Sequence, residues 1–528
     1  MKEQKNIIMS IDQGTTGSTV LLFDRELNIL AKANNEFPQI FPQPGWVSHN
    51  PEEIWKSVEK SIAEVIKNPL QSEIHAPQQN QSTHPSIRGS ALPSVVNTPR
   101  TISPPPLTAN IAAIGITNQR ETTILWDRKT GKVLHDAIVW QCRRTEPICK
   151  DLKERGFEKT FINKTGLVLD PYFSGTKIKW LFDNVPGIRE KAVDGEVAFG
   201  TVDSYLVWRL TGRAVHVTDV SNASRTLLMN LETLQWDDEL LEILEIPRSI
   251  LPEIKSCSEI YGTTVKSKSL PAGIPIAGMA GDQQAALFGQ MCLNPGDVKC
   301  TFGTGAFLLM NVGANPIRSS HGLLSTVAWK IGDEVTYALE GSAFIAGAAV
   351  QWLRDGLRVI RESSEIEELA LKVEDSAGLV FVPALTGLGA PHWRPNARGL
   401  LCGIDRGTTL EHIARAVLEG IALQNCDLLK AMQQDLGQTL TSIRVDGAAA
   451  ANNLLMQIQS DLLGTNLIRP KLLETTALGA GLLAGLAVGI WKNMDEVKLQ
   501  TDKTFNPKIP PEQRETLIQN WQTAIRKA

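Results

Sequence analysis

Two short Gly/Thr turns, each between two apolar strands, limit the possible folds of this chain more than any other feature. The first lies in "IDQGTTGSTVLLFD", which starts at Ile11, and the second lies in "CTFGTGAFLLMNVG", which starts at Cys300. Each segment predicts a strand, a tight turn and a returning strand. Because one hairpin lies in each half of the chain, we expect two related domains that face each other across a cleft. Clefts of this kind are preferred ligand sites.

Apolar strands alternate with amphipathic helices along most of the chain, which indicates an α/β protein. We expect a strand at 111–117, a helix that starts near Pro51, and a strand, a turn at Gly447 and a helix within 442–464. The 528 residues are too many for one ordinary core, so two large domains are the default expectation.

One segment, residues 69–108, interrupts this alternation. It contains eight prolines and only three charged residues. A composition of this kind buries too little apolar surface to offset the entropy of ordering the chain, so we predict a disordered insertion. A proline-rich docking peptide for a partner protein is the alternative interpretation.

The composition argues against several classes of protein. A net charge of −4 and the lack of a Lys/Arg cluster argue against nucleic acid as a partner. The seven cysteines include no C-x-x-C pair, which indicates reduced thiols in a cytosol. The most apolar segment, 477–491, is shorter than the roughly 20 residues that a membrane span needs, and its small residues favour a closely packed core helix. We therefore expect a cytoplasmic protein without a membrane span.

The first Gly/Thr turn has the chemistry of a phosphate site. Its glycines let the backbone approach closely, and the amide and hydroxyl groups of Thr15 and Thr16 can donate to phosphate oxygens. Asp12 precedes this turn, and a carboxylate there would repel phosphates unless a cation stood between them. Mg²⁺ typically binds one or two carboxylates together with waters and substrate phosphates, so Asp12 is a candidate metal ligand. An Asx turn at the strand end is the alternative interpretation.

A second acid precedes the second turn. Asp282 follows a turn of small residues in "AGMAGDQQAALFGQ", with an apolar helix behind it, and the turn that contains Thr304 comes next along the chain. Two acids and two such turns fit a site that binds a nucleotide and also needs a general base.

Arg120 and Glu121 are the candidates for binding a small substrate. They stand side by side where a strand ends, and because adjacent side chains on a strand point to opposite faces, the two do not need each other structurally. Together they offer donors and acceptors that suit two adjacent hydroxyl groups. A solvent-exposed loop pair is the alternative. Trp140, Tyr172 and Phe307 are aromatic candidates for the same pocket, and a place in a core is the alternative for each.

The hairpins and several other segments together resemble the FGGY family of carbohydrate kinases. The motifs that carry the resemblance are "IDQGTTGS", "ITNQRETT", "VWQCRR", "DPYFSGTKIKWL", "TVDSYLVWRLTG", "VTDVSNASRTLL", "GDQQAALFGQ", "FGTGAFLL" and "GLGAPHW". It covers almost the whole chain apart from 69–108 and the far C-terminus. It implies an α/β fold of two ribonuclease H-like domains, as in actin-like ATPases, on either side of a nucleotide and substrate cleft. The implied domains are 1–289, which binds the polyol and the phosphates, and 290–528, which binds the nucleotide.

The resemblance also implies an activity, namely transfer of the γ-phosphoryl group of ATP to glycerol with Mg²⁺ as cofactor. The products are sn-glycerol 3-phosphate and ADP, in the first step of glycerol utilisation, and Asp282 is the implied general base. The residues that the resemblance places around glycerol are Arg120, Glu121, Trp140, Tyr172, Asp282, Gln283 and Phe307. The residues that it places at the phosphates and the nucleotide are Thr15, Thr16, Gly17, Thr304, Gly347, Gln351, Ala448 and Asn452. The implied metal ligands are Asp12 and Asp282, and the implied assembly is a homo-oligomer, either a dimer or a tetramer.

Two positions depart from the pattern of the family. Thr19 stands where many members carry an Arg near the nucleotide phosphates, and Ala448 replaces a usual Gly, so we expect weaker or slightly shifted ATP binding.

Two alternative functions remain open. The first is an FGGY kinase for another polyol or a ketopentose, although "NQRETT" stands where xylulose kinases tend to have a Gln-Met-His-Gly turn, which favours glycerol. The second, from another class of protein, is an ATP-driven conformational switch, in which Arg120, Glu121 and Asp282 would have no purpose.

Overall fold

Two mixed β-sheets, one in each half of the chain, form the framework of the structure. The computed structural model describes residues 5–67, 107–394, 396–440 and 442–528. The predicted disordered insertion at 69–108 therefore lies outside the described residues, except for its last two positions, which begin the 3₁₀ turn Leu107–Asn110.

The elements of the N-terminal half are mostly short. The strands described there are β1 (Ile7–Gln13), β2 (Gly17–Phe23), β3 (Ile29–Glu36), β4 (Ser48–His49), β5 (Ile111–Asn118), β6 (Ile124–Asp127), β7 (Ala137–Ile138), β8 (Val197–Gly200), β9 (Val217–Asp219), β10 (Met229–Asn230), β11 (Gln235–Trp236), β12 (Glu253–Lys255), β13 (Ser258–Thr263) and β14 (Pro275–Gly281). The helices described there are α1 (Pro51–Lys67), α2 (Glu146–Glu154), α3 (Glu158–Thr165), α4 (Ser174–Asn184), α5 (Ile188–Val193), α6 (Val202–Leu210), α7 (Val220–Ala223), α8 (Asp238–Leu244) and α9 (Asp282–Gly289).

The C-terminal half has longer helices. Its described strands are β15 (Val298–Phe302), β16 (Ala306–Gly313), β17 (Leu324–Ile331), β18 (Glu334–Ala343), β19 (Val380–Val382), β20 (Leu400–Cys402), β21 (Ser442–Asp446), β22 (Asn466–Pro470) and β23 (Thr501–Phe505). Its described helices are α10 (Gly347–Gln351), α11 (Glu365–Ala370), α12 (Leu410–Leu436), α13 (Asn453–Leu463), α14 (Thr475–Ala487) and α15 (Pro511–Ile525). A π-helical turn, Trp352–Gly356, continues α10.

The two sheets share one central strand order. The first sheet runs β13-β14-β5-β1-β2-β3, and the second sheet runs β17-β18-β16-β15-β21-β22-β23. In the first sheet β1, β2 and β3 are antiparallel, while β1, β5 and β14 are parallel. The second sheet repeats this arrangement with β15, β16 and β18 antiparallel and β15, β21 and β22 parallel. The repeated order confirms the predicted α/β fold with two ribonuclease H-like domains, while the boundary between 289 and 290 stays a prediction.

The local predictions agree with these elements. The strand expected at 111–117 is β5, and the helix expected near Pro51 is α1. The segment 442–464 forms β21, a turn at Gly447 and α13, as predicted. Both Gly/Thr segments form the predicted hairpins, β1-β2 and β15-β16.

Helix α14, the most apolar segment of the chain, lies against the first sheet although it comes late in the sequence. It packs on β5, β14 and α9. A Cβ atom at Gly115 would overlap the carbonyl oxygen of Ala480, and a Cβ atom at Gly479 would overlap that of Ala285, so the backbones touch. Because α9 also contacts β15 and β16, the pair of helices α9 and α14 joins the two halves. No helix among the described residues is long and apolar enough to cross a membrane.

Gly479→Ala should destabilise the fold, because α9 and α14 leave no room for a methyl group at this point. Overpacking typically costs about 1–3 kcal/mol, and the obstacle here is backbone, so we expect a loss in the upper part of that range in the free energy of unfolding. Urea unfolding followed by circular dichroism measures the change. Thr476→Ala, at a half-buried position of the same helix, is the control. Equal unfolding midpoints for the two variants would contradict the close packing.

Candidate active site

The two predicted acids, Asp12 and Asp282, meet at one edge of the first sheet. Asp12 lies near the end of β1, and Asp282 begins α9 directly after β14. Because β1, β5 and β14 are adjacent and parallel, their carboxyl ends share one edge. Burial, and secondly the nearby carboxylate of Asp282, raise the pKa of Asp12 to about 7.

Asp282 is held through one of its two carboxylate oxygens. Its Oδ1 accepts a hydrogen bond of 2.7 Å from the backbone N–H of Gln283 and lies 3.1 Å from Arg120 Nε. Burial raises the pKa of Asp282, and the positive charges of Arg120 and Lys299 oppose that rise. Its side chain is nevertheless 29% exposed, so the carboxylate can meet a ligand.

Arg120 and Glu121 are buried in the bend that follows β5, which excludes the alternative of a solvent-exposed loop pair. Their side chains are 2% and 1% exposed. The expectation that the two do not need each other structurally is wrong, because Arg120 Nε lies 3.9 Å from Glu121 Oε1 within one buried network. The strand argument fails since β5 ends at Asn118 and Glu121 has a left-handed backbone, with φ of 59°.

Two further charged residues, Arg225 and Glu340, complete this network and were missed from the sequence. Arg225 Nε donates to Glu121 Oε1 at 2.7 Å, and Arg225 Nη2 donates to Glu340 Oε1 at 2.8 Å. Glu340 also accepts from both η nitrogens of Arg120. The sequence did contain an indication of both residues, because Arg225 lies within the apolar segment "ASRTLLM" and Glu340 within the apolar segment "YALEGSAF". A charged residue within an apolar segment is rarely buried unless it is paired.

The three predicted aromatic residues pack around this charged cluster. The ring of Trp140 lies 5.6 Å from that of Tyr172 and 6.1 Å from that of Phe307, measured between ring centres. The hydroxyl of Tyr172 accepts from Arg120 Nη2 at 3.3 Å, and Trp140 Nε1 donates to Thr15 Oγ1 at 3.0 Å. Trp140 therefore connects the aromatic group to the first Gly/Thr turn.

Gln283 is fixed by a buried lysine, Lys299, which was also missed. Lys299 Nζ donates to the side-chain oxygen of Gln283, to Thr301 Oγ1 at 2.9 Å and to the backbone oxygen of Phe307 at 3.3 Å. Burial lowers the pKa of Lys299. This lysine in β15 thus links two predicted substrate residues, one from each half of the chain.

The first Gly/Thr turn is tightly closed. Its first residue, Gly14, donates from its backbone N–H to the backbone oxygen of Gly17 at 2.9 Å. The side chain of Thr16 is exposed. Gly17 packs closely against β3, because a Cβ atom there would lie 3.0 Å from the backbone oxygen of Asn35. Thr19 pairs directly opposite Asp12 in the hairpin, so an uncharged hydroxyl stands beside this acid.

The second turn brings Thr304 and Gly347 together. The backbone N–H of Gly347 donates to the oxygen of Gly303 at 3.0 Å, and the N–H of Ala346 donates to the oxygen of Thr304 at 2.8 Å. Helix α10 therefore begins against this turn. Gln351 is the last residue of α10 and is exposed, and its side chain makes no hydrogen bond within the described part of the chain.

The segment with Ala448 and Asn452 lies beside the second turn because Gly447 packs against Phe302. Gly447 has φ of 88°, and a Cβ atom there would lie 2.5 Å from the backbone oxygen of Phe302. Ala448 is exposed, and Asn452 Oδ1 accepts from the N–H of Leu455 at 2.8 Å, which caps α13. The loops predicted to bind nucleotide thus follow β15 and β21 at one edge of the second sheet.

The residues around Asp12 fit a divalent cation that is completed by a ligand. Within the described ranges, the Asp12 carboxylate receives no hydrogen bond and forms no ion pair, although it is half-buried near Asp282. The same ranges contain no group of three or more His, Cys, Asp or Glu residues that could hold a metal ion. Two carboxylates suit Mg²⁺, which typically binds waters and substrate phosphates as its remaining ligands.

Known proteins resemble this chain along almost its whole length. The N-terminal domain of the "FGGY family of carbohydrate kinases" matches residues 7–80 and 101–289, and its C-terminal domain matches residues 298–488. The chain is 54% identical over 525 residues to the glycerol kinase of Myxococcus xanthus, with 99% of both chains covered. It is 54% identical over 527 residues to the glycerol kinase of Burkholderia multivorans, with 99% of this chain and 98% of the relative covered. The crystal structure of Plasmodium falciparum glycerol kinase with ADP superposes with a TM-score of 0.86 at 38% identity, with 99% of this chain and 98% of that chain covered. This chain belongs to the FGGY family of carbohydrate kinases.

Proposed function

We propose that this chain phosphorylates glycerol with ATP, giving sn-glycerol 3-phosphate and ADP. The proposal rests above all on the ion pair of 3.1 Å between Arg120 Nε and Asp282 Oδ1, because it puts a candidate base beside donors for hydroxyl groups. The names of the relatives at 54% identity support it, and the solved relative was crystallised with ADP. These relatives do not favour the alternative of another polyol or a ketopentose.

Glycerol binds between the charged network and the aromatic rings. Arg120 would donate to the hydroxyl groups of glycerol by giving up its contacts with the Tyr172 hydroxyl and Asp282, and Glu121 would accept from them. The rings of Trp140, Tyr172 and Phe307 enclose the carbon chain. Gln283, held by Lys299, supplies a further polar contact.

The transfer step uses Asp282 as the general base. Its carboxylate accepts the proton of a primary hydroxyl while that oxygen bonds to the γ-phosphorus and the bond from this phosphorus to the bridging oxygen of ADP breaks. General-base catalysis typically contributes about 10²–10⁴-fold to the rate. Alignment and stabilisation of the phosphate charge contribute more, and the turns with Thr15, Thr16, Gly17 and Thr304 supply the donors. Closure of the two domains would keep water from the γ-phosphorus.

Mg²⁺ is the proposed cofactor, and Asp12 and Asp282 would hold it. When bound, the ion neutralises charge on the phosphates of ATP. The half-buried carboxylate of Asp12 has no partner among the described residues, which supports this assignment, since a partly buried carboxylate is stabilised by a cation. Gly347, Gln351, Ala448 and Asn452 would contact the rest of the nucleotide from the second half.

The domain roles, the location and the assembly are also part of the proposal. Residues 1–289 would bind the polyol and the phosphates, and residues 290–528 would bind the nucleotide. A cytoplasmic location is supported by the seven cysteines, all of which are free thiols. A homo-oligomer, either a dimer or a tetramer, is proposed, and light scattering of the purified chain would test it.

Parallel assays with glycerol, xylulose and ribulose test the proposed substrate. We expect kcat/KM for glycerol to exceed that for either pentulose by at least about 10-fold, because the longer sugars must fit between the same aromatic rings. Release of ADP, coupled to oxidation of NADH, measures each rate, and a reaction without polyol is the control. Comparable turnover of a pentulose would overturn the choice of glycerol, and equally fast ATP hydrolysis without polyol would support a conformational switch.

A further inference from the structure

We propose that Arg225 and Glu340 are positioning residues for substrate recognition. They form a closed ring with Arg120 and Glu121, here called the charge ring, in which positive and negative side chains alternate. Every side chain in the ring is at most 2% exposed. The inference rests on the proposed function, since it assigns a role to the residues behind the proposed glycerol site.

Each member of the charge ring contacts two other members. Glu340 Oε1 accepts from Arg120 Nη2 at 3.1 Å and from Arg225 Nη2 at 2.8 Å. Glu121 Oε1 accepts from Arg225 Nε at 2.7 Å and lies 3.9 Å from Arg120 Nε. Burial opposes the charge on Glu340, but Arg120 and Arg225 outweigh it and lower the pKa of Glu340 to about 2. Burial raises the pKa of Glu121, and the positive charges of Arg120 and Arg225 oppose that rise.

Glu340 determines which part of Arg120 faces the proposed base. An arginine beside a carboxylate favours a bidentate pair through two nitrogens. Both η nitrogens of Arg120 are engaged by Glu340, so Asp282 receives only the Nε contact, on Oδ1. None of the described contacts uses Asp282 Oδ2. Glu340 thus leaves one oxygen of the base available for a substrate proton.

Arg225 and Lys177 fix Glu121 in a comparable way. The backbone oxygen of Glu121 accepts from Lys177 Nζ at 3.1 Å and from Ser174 Oγ at 3.0 Å, which stabilises its left-handed backbone. Arg225 holds Oε1 of the side chain, and none of the described contacts uses Oε2. One oxygen of Glu121 is thereby fixed while the other remains available for a hydroxyl group.

The charge ring also joins the two halves of the chain. Glu340 lies in β18 of the second sheet, whereas the other three members come from the first half. A buried ion pair contributes little net stability compared with apolar packing, but it can specify one geometry. We infer that the second half assembles the polyol site as well as the nucleotide site.

Kinetics of Glu340→Gln test the role of the charge ring. This variant keeps the shape of the side chain and removes its charge. We expect the KM for glycerol to rise about 30-fold or more, because Arg120 is free to turn toward Asp282, while the KM for ATP changes less than about threefold. The preference for glycerol over 1,2-propanediol, which lacks one hydroxyl, should fall about 10-fold. Arg225→Lys, which retains charge but loses the fork of donors, should show the same pattern in weaker form.

Glu419→Gln is the matched control. Glu419 is a buried glutamate in the same half, paired with Arg415 Nε at 2.9 Å, and it takes no part in the proposed site. It should lose stability while both KM values stay within about twofold of the wild type. Equal changes in the KM for ATP and for glycerol, or an unchanged preference over 1,2-propanediol, would overturn the positioning role.

This experiment distinguishes an error in the proposed substrate from an error in the proposed role of the charge ring. The ratio of each variant's KM to the wild-type KM is measured with whichever of glycerol, xylulose and ribulose the wild type uses fastest. A wild type that prefers a pentulose contradicts the proposed function, whereas variants that keep the wild-type ratios contradict the ring. Where Glu340→Gln does not fold, Arg225→Lys decides the outcome.

Discussion

Asp282→Asn is expected to lower kcat about 10²–10⁴-fold, while glycerol still binds. The amide has nearly the same shape as the carboxylate, but it cannot take the proton of the attacking hydroxyl. The binding residues should keep their places, because both η nitrogens of Arg120 are held by Glu340 and not by Asp282. The loss should therefore fall on turnover and not on glycerol affinity.

Coupled release of ADP measures turnover of this variant, and calorimetric titration with glycerol measures its binding. Asp238→Asn is the control, since Asp238 begins α8 as Asp282 begins α9 but is 86% exposed and pairs with Arg248 at the surface. Its turnover should equal that of the wild type. Normal turnover of Asp282→Asn would show that another group takes the proton.

Local patterns in the sequence were sufficient to predict the hairpins and the helices that follow them. The β1-β2 and β15-β16 hairpins form from neighbouring residues, so strand pattern and turn chemistry are visible in short windows. The same holds for β21, Gly447 and α13. The position of α14 against the first sheet is a different case, because the chain must return from the C-terminal half to place it there.

The charge ring could not be predicted from short segments of the sequence. Its four members lie at 120, 121, 225 and 340, and they meet only after both sheets have packed. Alternation along a strand also misjudged Glu121, since its left-handed backbone lies beyond the end of β5. Motif similarity named Arg120 and Glu121 as substrate residues, whereas the groups that orient them were found only from contacts.

Asp12→Asn is the second variant with a large expected effect. An amide in place of the carboxylate removes the negative charge that would hold Mg²⁺ between the protein and the phosphates, so we expect kcat to fall about 10²-fold or more. The concentration of Mg²⁺ for half-maximal rate should rise as well, while chelation of Mg²⁺ should stop the wild type. Thr19 is the residue opposite Asp12 in the hairpin, and because it carries no charge it cannot replace the lost carboxylate or the ion.

Titration of the rate with MgCl₂ at fixed ATP separates this effect from damage to the fold. Asp24→Asn is the control, because Asp24 lies at the far end of the same hairpin and there accepts from the N–H and the side-chain amide of Asn28. Its Mg²⁺ dependence should match that of the wild type. A wild-type Mg²⁺ dependence in Asp12→Asn would mean that Asp12 does not hold the ion.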